Sequence, residues 1–380
     1  MSDIEKLDLL SKQMHLEPAE EIFRPSLPLR AREAITVKSA QLPNGNTIRL
    51  LKTLLSSYCE KNCSYCPFRS ARDIPRAAFT PDDFARLFDS LYRSGFVEGI
   101  FLSSSIFKNS VVAQDKLLTT ASLLRGRYNF QGYLHLKIMP GAERAQVEQA
   151  MLLADRLSIN MEAPHSQALS FLAPEKDYQN DLLSPLRWIQ EIRSTQHPEN
   201  AWKKTWPSST SQFVVGAAGE SDLDLLRTTH LLHDECQISR VYYSSFSPFE
   251  DTPLENIPPS PPQREHRLYQ ASFLLRDYGF SIRDLVFQGD GCLLPGIDPK
   301  LAWAKEHLLD SPIEINTAPR EQLLRVPGIG PTRAGRILSI RGQTRINSFS
   351  QLRKNHLVEP KTAAFILIDG KRPAQQTALF

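Results

Sequence analysis

The 380-residue sequence predicts an α/β chain, a partial (β/α)6 barrel followed by a small all-α C-terminal domain. Three observations predict it. Apolar strand-like runs alternate six times with longer amphipathic runs. The polar residues of several predicted strands share one face. The charge divides the chain: Pro312 to Phe380 holds eleven Lys/Arg and four Asp/Glu, a net of +7, whereas Met1 to Ser311 holds 34 basic and 38 acidic residues, a net of −4.

The elements follow in order. Residues 1–46 read as an N-terminal extension of short helical patterns broken by "RPSLPLR" and "LPNGN". "TIRLLKTLLSS" reads as the first strand, and a cysteine-bearing loop follows it. "TPDDFARLFDSLYRSG" reads as a helix with Thr80 as N-cap and Pro81 at its first position. "EGIFLSSSI" is a strand and "VVAQDKLLTTASLLRGR" a helix; "YLHLKIMPG" is a strand and "AERAQVEQAMLLA" a helix. "RLSINMEAP" is a strand followed by the helix "LLSPLRWIQEIRS". "SQFVVGAAGE" is a strand, Ser221 caps "DLDLLRTTHLLHDE", and "ISRVYYSSFSPF" is the sixth strand. Such alternation fits a barrel or a doubly wound sheet. Side chains two apart share a face. His135, Lys137 and Met139 form one face of the third strand, and Ser158, Asn160 and Glu162 one face of the fourth. Polar faces opposite helix-covered apolar ones favour a barrel with a roomy polar interior.

The proline-rich "SPFEDTPLENIPPSPPQREH" is expected to be an extended connector. The helix "EHRLYQASFLLRDYG" follows, and the body, residues 47–311, closes near "GIDPKLAWAKEHLLD". No stretch approaches the ~20 apolar residues of a membrane-crossing helix. The acidic N-terminus does not read as a signal peptide. Two of the five cysteines, Cys236 and Cys292, stand alone and are expected to be core thiols. A disulfide framework is not expected, and a reducing, cytoplasmic setting is.

Cys59, Cys63 and Cys66 fall in "SSYCEKNCSYCPF" with C-x3-C-x2-C spacing. Thiolates select zinc or iron–sulfur clusters. Structural zinc takes four protein ligands, often as two C-x2-C pairs, and no second pair exists here. Three cysteines on a [4Fe–4S] cluster leave one iron open for a substrate or cofactor.

This spacing, with the aromatic Tyr65 before the last cysteine and its place after the first strand of a six-fold repeat, resembles the radical S-adenosylmethionine (SAM) superfamily signature. The resemblance implies a TIM-like radical SAM barrel with a [4Fe–4S] cluster on Cys59, Cys63 and Cys66. SAM would be held on the open iron and cleaved to methionine and a 5′-deoxyadenosyl radical, with flavodoxin or ferredoxin as electron donor. It implies that Tyr65 packs near adenine. Ser103, Ser104 and Ser105 stand where that superfamily has a Gly-Gly-Glu-like amine-binding segment. It further implies that Asn160 and Glu162 contact ribose and the methionine end, that Val215 and Gly216 lie under adenine, and that Tyr243 is a further adenine contact. His135, Lys137 and Lys176 are candidates to face substrate. No residue is singled out as catalytic.

The tail, residues 312–380, has its own logic. "TAPREQLLRV" reads as a helix with Thr317 as cap, "PGIG" as a tight turn, and "PTRAGRILSIR" as a second helix. This resembles the helix–hairpin–helix motif. The resemblance implies that Pro327, Gly328, Ile329 and Gly330 present backbone N–H groups to a DNA phosphate, with Arg333 and Arg336 reaching flanking phosphates. "FSQLRKNHLVEPKTAAFIL" keeps the helices of a second unit but has "LVEP" where glycines belong, and is expected to be a structural half. Together with "FLSSSI", "LSINMEAP", "LAPEKD", "VYYSSFSPF" and "DPKLAWAKEH", in that order, these segments resemble the DNA modification/repair radical SAM protein family. That resemblance implies DNA repair or base modification and a uracil-DNA-glycosylase-like partner. The competing expectations are an RNA- or tRNA-modifying enzyme of the same superfamily and a non-enzymatic DNA-binding protein with a structural or redox-sensing cluster.

Overall fold

The computed structural model describes residues 1–16, 21–22, 37–41, 45–70 and 72–374. Helix α1 (Asp3–Lys12) is capped by Ser2, whose hydroxyl accepts from Glu5 N while the Glu5 carboxylate accepts from Ser2 N. Strands β1 (Glu21–Ile22) and β2 (Val37–Gln41) pair antiparallel with each other, and β2 pairs antiparallel with β3 (Thr47–Leu54). Short helical patterns alone were expected before residue 46, so this antiparallel edge is a correction.

From β3 onward every pairing is parallel and sequential, through β4 (Gly99–Ser103), β5 (Tyr133–Lys137), β6 (Arg156–Ser158), β7 (Ser208–Val215) and β8 (Arg240–Ser245). The order never reverses, as it does in a doubly wound sheet. Right-handed crossovers then place the helices on one side and leave the other side for a cavity. Because β8 is an edge, the barrel is partial. The helices between strands are α2 (Pro81–Arg93), α3 (Ser110–Ser122), α4 (Arg144–Leu153), α5 (Ser166–Leu172), α6 (Ser184–Thr195) and α7 (Asp222–Cys236). Three are capped by short polar side chains: Thr80 accepts from Asp83 N, Asn109 from Val112 N and Ser221 from Asp224 N.

The outward strand faces carry Leu51, Ile100, Leu102, Leu134, Leu136, Leu157, Phe213 and Tyr243, all fully buried. Truncating any of these leucines to Ala is worth about 2–5 kcal/mol. The inward face at the same depth carries three polar side chains and one phenylalanine. Lys52, Phe101, His135 and Arg156 lie in one register across β3 to β6. This is the alternation expected of a barrel with a polar interior.

β6 is shorter than "RLSINMEAP" suggested. Ser158 pairs with Thr210, but four residues later Glu162 pairs with Phe213, only three residues along β7. One extra residue is therefore accommodated after β6, as in a bulge, and Glu162 takes a φ of 64° to absorb it. A non-glycine residue there costs about 1–3 kcal/mol, which the surrounding ladder must offset. That ladder is Glu162 N to Gln212 O (3.0 Å) and Val214 N to Glu162 O (2.8 Å).

The chain divides into two units, Met1–Glu220 with Leu231–Ser260, and Ser221–His230 with Pro261–Phe380. The second contains α8 (Pro262–Asp277), α9 (Pro299–His307), α10 (Arg320–Arg325), α11 (Pro331–Gln343) and α12 (Phe349–Lys354). It also holds the parallel pair β9 (Ile313–Glu314) and β10 (Ile366–Leu367). Leu323, Val326, Ile329, Ala334, Ile337 and Leu352 form its core. Helix α10 starts at Arg320 with Pro319 as N-cap, so Thr317 does not cap it as expected. The turn before it is pinned instead by Asn316, whose amide donates to Ile346 O (2.9 Å) and accepts from Ile346 N (3.1 Å).

Candidate active site and hairpin

All three clustered cysteines line one cavity of about 220 Å³ at the C-terminal ends of the parallel strands. This is where parallel barrels place their sites. The cysteine loop leaves β3 and is tied to its neighbours by the backbone bonds Glu60 N to Ile106 O (2.8 Å) and Ser64 N to Leu172 O (2.7 Å), and to itself by Ser70 N to Lys61 O (2.9 Å). Arg76 organises it from behind. Its guanidinium donates to the carbonyls of Ser57 (2.6 Å), Phe68 (3.1 Å), Arg69 (2.8 Å) and Arg72 (3.2 Å). A loop without regular structure leaves carbonyls unpaired, and one planar five-donor group satisfies four of them. Nothing in the sequence singled out Arg76.

The thiols sit in a poorly solvated environment. Burial pushes the Cys63 thiol up, opposed by the Lys176 ammonium. Burial and the neighbouring Cys63 push Cys66 far above the ordinary thiol range. All five cysteines are free. Cys236 is fully buried, as expected of a core thiol, and burial raises it to about 11. Cys292 is only half-buried. Neither lines the cavity.

Glu162 and Lys176 form the electrostatic centre. Lys176 Nζ lies 2.9 Å from Glu162 Oε1, with 8% and 5% of their side chains exposed. Burial disfavours the Lys176 ammonium, but Glu162, Cys63 and Cys66 outweigh it and hold the group protonated above the usual lysine range. The second carboxylate oxygen, Glu162 Oε2, is buried without a hydrogen-bond partner among the described residues. Tyr65 lies beside it. Burial, then the Glu162 carboxylate, keep the phenol un-ionised well above its usual range. Across the floor Lys137 Nζ donates to Asn160 Oδ1 (2.5 Å), and Asn160 reaches Gln212 (3.5 Å).

The structure gathers Tyr65, Ser103, Ser104, Ser105, Lys137, Asn160, Glu162 and Lys176 around the cysteines. It separates others. His135 lies fully buried below the cavity with its ring 4.3 Å from Phe101. Val215 and Tyr243 face the helices, because on β7 and β8 the residues of cavity parity are Gln212, Val214 and Ser244. Gly216, with φ 96°, begins a turn whose Gly216 and Ala218 amides both donate to the Glu220 carboxylate. Gln13 and Met14, just after α1, also line the cavity; the sequence held no signal for them.

In the second unit the "PGIG" turn joins α10 to α11 as predicted. Gly328 has φ 86°, and a Cβ there would lie 2.7 Å from Thr362 Oγ1, so only glycine fits. Pro327 and Ile329 are buried; Arg336 is exposed. Arg333 is occupied: it donates to Gly328 O (2.5 Å) and to Glu359 Oε1 (2.8 Å). The "LVEP" segment thus acts as a strut, with Glu359 gripping the hairpin through Arg333.

Residues 310–366 match the family described as the helix-hairpin-helix motif. Among solved structures the chain is similar to methylornithine synthase (TM-score 0.48, 12% identity, covering 60% of this chain and 61% of that one). It is also similar to the FeFe-hydrogenase maturase HydG from Carboxydothermus hydrogenoformans (TM-score 0.45, 14% identity, 60% and 51%). A third is the radical S-adenosylmethionine methyltransferase TsrM from Kitasatospora setae (TM-score 0.40, 13% identity, 55% and 39%). The chain spans about three-fifths of the length of the first of these and less of the others. No curated protein matches the chain. No helix among the described residues is long and apolar enough to cross a membrane.

Proposed function

We propose that the chain is a cytoplasmic radical SAM enzyme that acts on nucleic acid, with DNA as the substrate, in repair or base modification. The observation that carries this reading is the cavity in which three soft thiols meet a buried Glu162–Lys176 pair at the strand ends. Cys59, Cys63 and Cys66 would hold a [4Fe–4S] cluster. Among the described residues no three His, Cys, Asp or Glu side chains are spaced for a single metal ion. The buried Glu162 carboxylate, beside the Tyr65 phenol, is an acceptor suited to an ammonium donor such as the amine of SAM. Asn160, Ser104 and Ser105 supply acceptors suited to ribose hydroxyls, and Tyr65 and Phe246 an apolar wall for adenine.

Held by Cys59, Cys63 and Cys66, a reduced [4Fe–4S] cluster would supply the one electron needed to cleave SAM to methionine and a 5′-deoxyadenosyl radical. The protein's own contribution is to orient and to exclude water. Lys176 holds Glu162 in place, Lys137 holds Asn160, and Met14 closes one wall. Residues 312–380 would hold DNA through the hairpin. A flavodoxin or ferredoxin would supply electrons, and a uracil-DNA-glycosylase-like protein would be a partner. The test is anaerobic reconstitution followed by reduction with SAM and DNA. About four irons per chain and 5′-deoxyadenosine are expected. Tight stoichiometric zinc without iron, or no SAM cleavage with any DNA or RNA, overturns the reading. Cleavage with RNA alone transfers it to RNA modification.

A further inference from the structure

A second cavity, of about 520 Å³, opens against the hairpin in the second unit. Its walls combine the hairpin, Pro327–Arg333, with residues upstream of the matched motif: Phe273, Tyr278, Asp298 and Lys300. Lys300 is the informative residue. It is buried, with 8% exposed, and its ammonium donates to Ile329 O at 2.6 Å inside the hairpin. It lies over the Tyr278 ring at 4.7 Å. It has three N–H donors, and one is used. No carboxylate among the described residues forms an ion pair with it. The nearest, Asp298, is committed to capping α9 through Leu301 N at 3.0 Å. Burial drives its pKa down to about 7, as for a cation lacking its counter-ion.

The hairpin beside it is a second, independent anion feature. The Gly328 and Gly330 amides make no hydrogen bond within the described residues. Gly330 has no Cβ, and the Tyr278 hydroxyl lies 3.0 Å from where one would sit, at the edge of the same cavity. A buried cation with spare donors and free amides therefore meet at one mouth. Beyond it the wall is apolar: Phe273, Leu274 and Leu301. A phosphate alone does not need such a wall, and an internal phosphate of continuous duplex does not need a cavity. One nucleotide fills both parts.

We propose that this cavity takes a nucleic-acid strand end bearing a terminal phosphate, with the phosphate on Lys300 and the hairpin amides and the end nucleoside against Phe273 and Leu301. The proposal rests on the nucleic-acid reading of the hairpin above and deepens it from any backbone phosphate to a terminus.

The experiment measures binding of the full chain, by fluorescence anisotropy at fixed salt, to three versions of one duplex. These are a closed dumbbell without ends, an opened form with 5′-phosphate, and the same form with 5′-hydroxyl; a 3′-phosphate form is run beside them. A phosphorylated terminus should bind about tenfold tighter than the hydroxyl terminus or dumbbell, the worth of one charged hydrogen bond. Lys300→Gln keeps a donor for Ile329 O but loses the charge, and should bring the ratio of phosphate to hydroxyl termini to within about twofold of one. Lys300→Arg should retain most of the ratio. If the Gln variant does not fold, the wild-type ratio alone decides. Equal affinity for dumbbell and phosphorylated termini overturns the terminal site while leaving the hairpin reading intact. No binding to any of them overturns the hairpin reading and this proposal with it.

Discussion

Lys176 Nζ sits 2.9 Å from Glu162 Oε1 in a wall where both side chains are almost wholly buried, and Glu162 holds a left-handed backbone conformation to be there. Taking two charges out of water costs several kcal/mol each, and the attraction between them is what offsets it. Removing one partner leaves the other uncompensated. Lys176→Met should therefore destabilise the apoprotein by about 3–5 kcal/mol. Adding Glu162→Gln should recover most of that loss, as read in a double-mutant cycle by urea unfolding. Additive losses would mean that the pair is not coupled.

The buried thiols bind protons more tightly than free cysteine, and a metal must displace them. Iron–sulfur loading should release protons and strengthen as pH rises from 7 to 9. Cys59→Ser, Cys63→Ser or Cys66→Ser should each abolish stable loading, while Cys236→Ser should not. The measurement is iron and sulfide content against pH in anaerobic reconstitution.

Arg76 donates to four loop carbonyls. Arg76→Met should raise amide exchange across residues 57–72 by at least about tenfold, for roughly 1–3 kcal/mol lost per unsatisfied group. Exchange in β4 and β5 should hardly change. Hydrogen-exchange mass spectrometry of the apoprotein reads both.

Lys300 gives the second unit a signature in pH. Its folded pKa is about 7 against an ordinary 10.5. Between those values the unfolded chain holds a proton that the folded chain has lost, so stability rises with pH. The slope is at most about 1.4 kcal/mol per pH unit, and there is no contribution to the slope well below pH 7. The charged and titratable groups around it are Asp298, which favours the ammonium, Lys361, which opposes it, and the Tyr278 phenol. Lys300→Gln should remove this rise, so that the wild-type-minus-variant difference in stability climbs between pH 7 and 9.5, measured by denaturant unfolding.

At the hairpin, Gly328→Ala places a methyl 2.7 Å from Thr362 Oγ1 at a positive φ, and should weaken both folding and DNA binding. Arg336 is exposed, whereas Arg333 is tied to Glu359. Arg336→Ala should lower the log–log salt slope of duplex binding by about one, from an expected −3 to −4. Arg333→Ala should act mainly on thermal stability. Salt titrations of the full-length variants separate the two.

The six strand–helix units, the cysteine loop and the hairpin were legible because each is written in local pattern: period, spacing and glycine placement. Asn160 and Glu162 were legible as a polar face, yet their arrangement was not. The extra residue between Ser158 and Glu162 becomes visible only against the register of β7. Lys176 was a weak candidate because fourteen residues separate it from Glu162 and only folding joins them. Arg76 and Lys300 were illegible for a related reason. Their partners are backbone carbonyls, which every residue has, so no pattern of side chains marks them. Val215 was one residue out of phase with the cavity, a parity that the β7 pairing sets.

The bulge after β6 bears on how the gene for such a protein can change. Elsewhere around the barrel rim, a codon gained or lost lengthens or shortens a turn. Between Leu157 and Glu162 the segment is read two ways at once, against β5 before the slip and against β7 after it. Deleting one codon there would restore an even ladder and relieve the positive φ at Glu162. It would also rotate the carboxylate away from Lys176. A frame-preserving indel in these few residues would thus yield a chain that folds with less strain and has lost its charge centre.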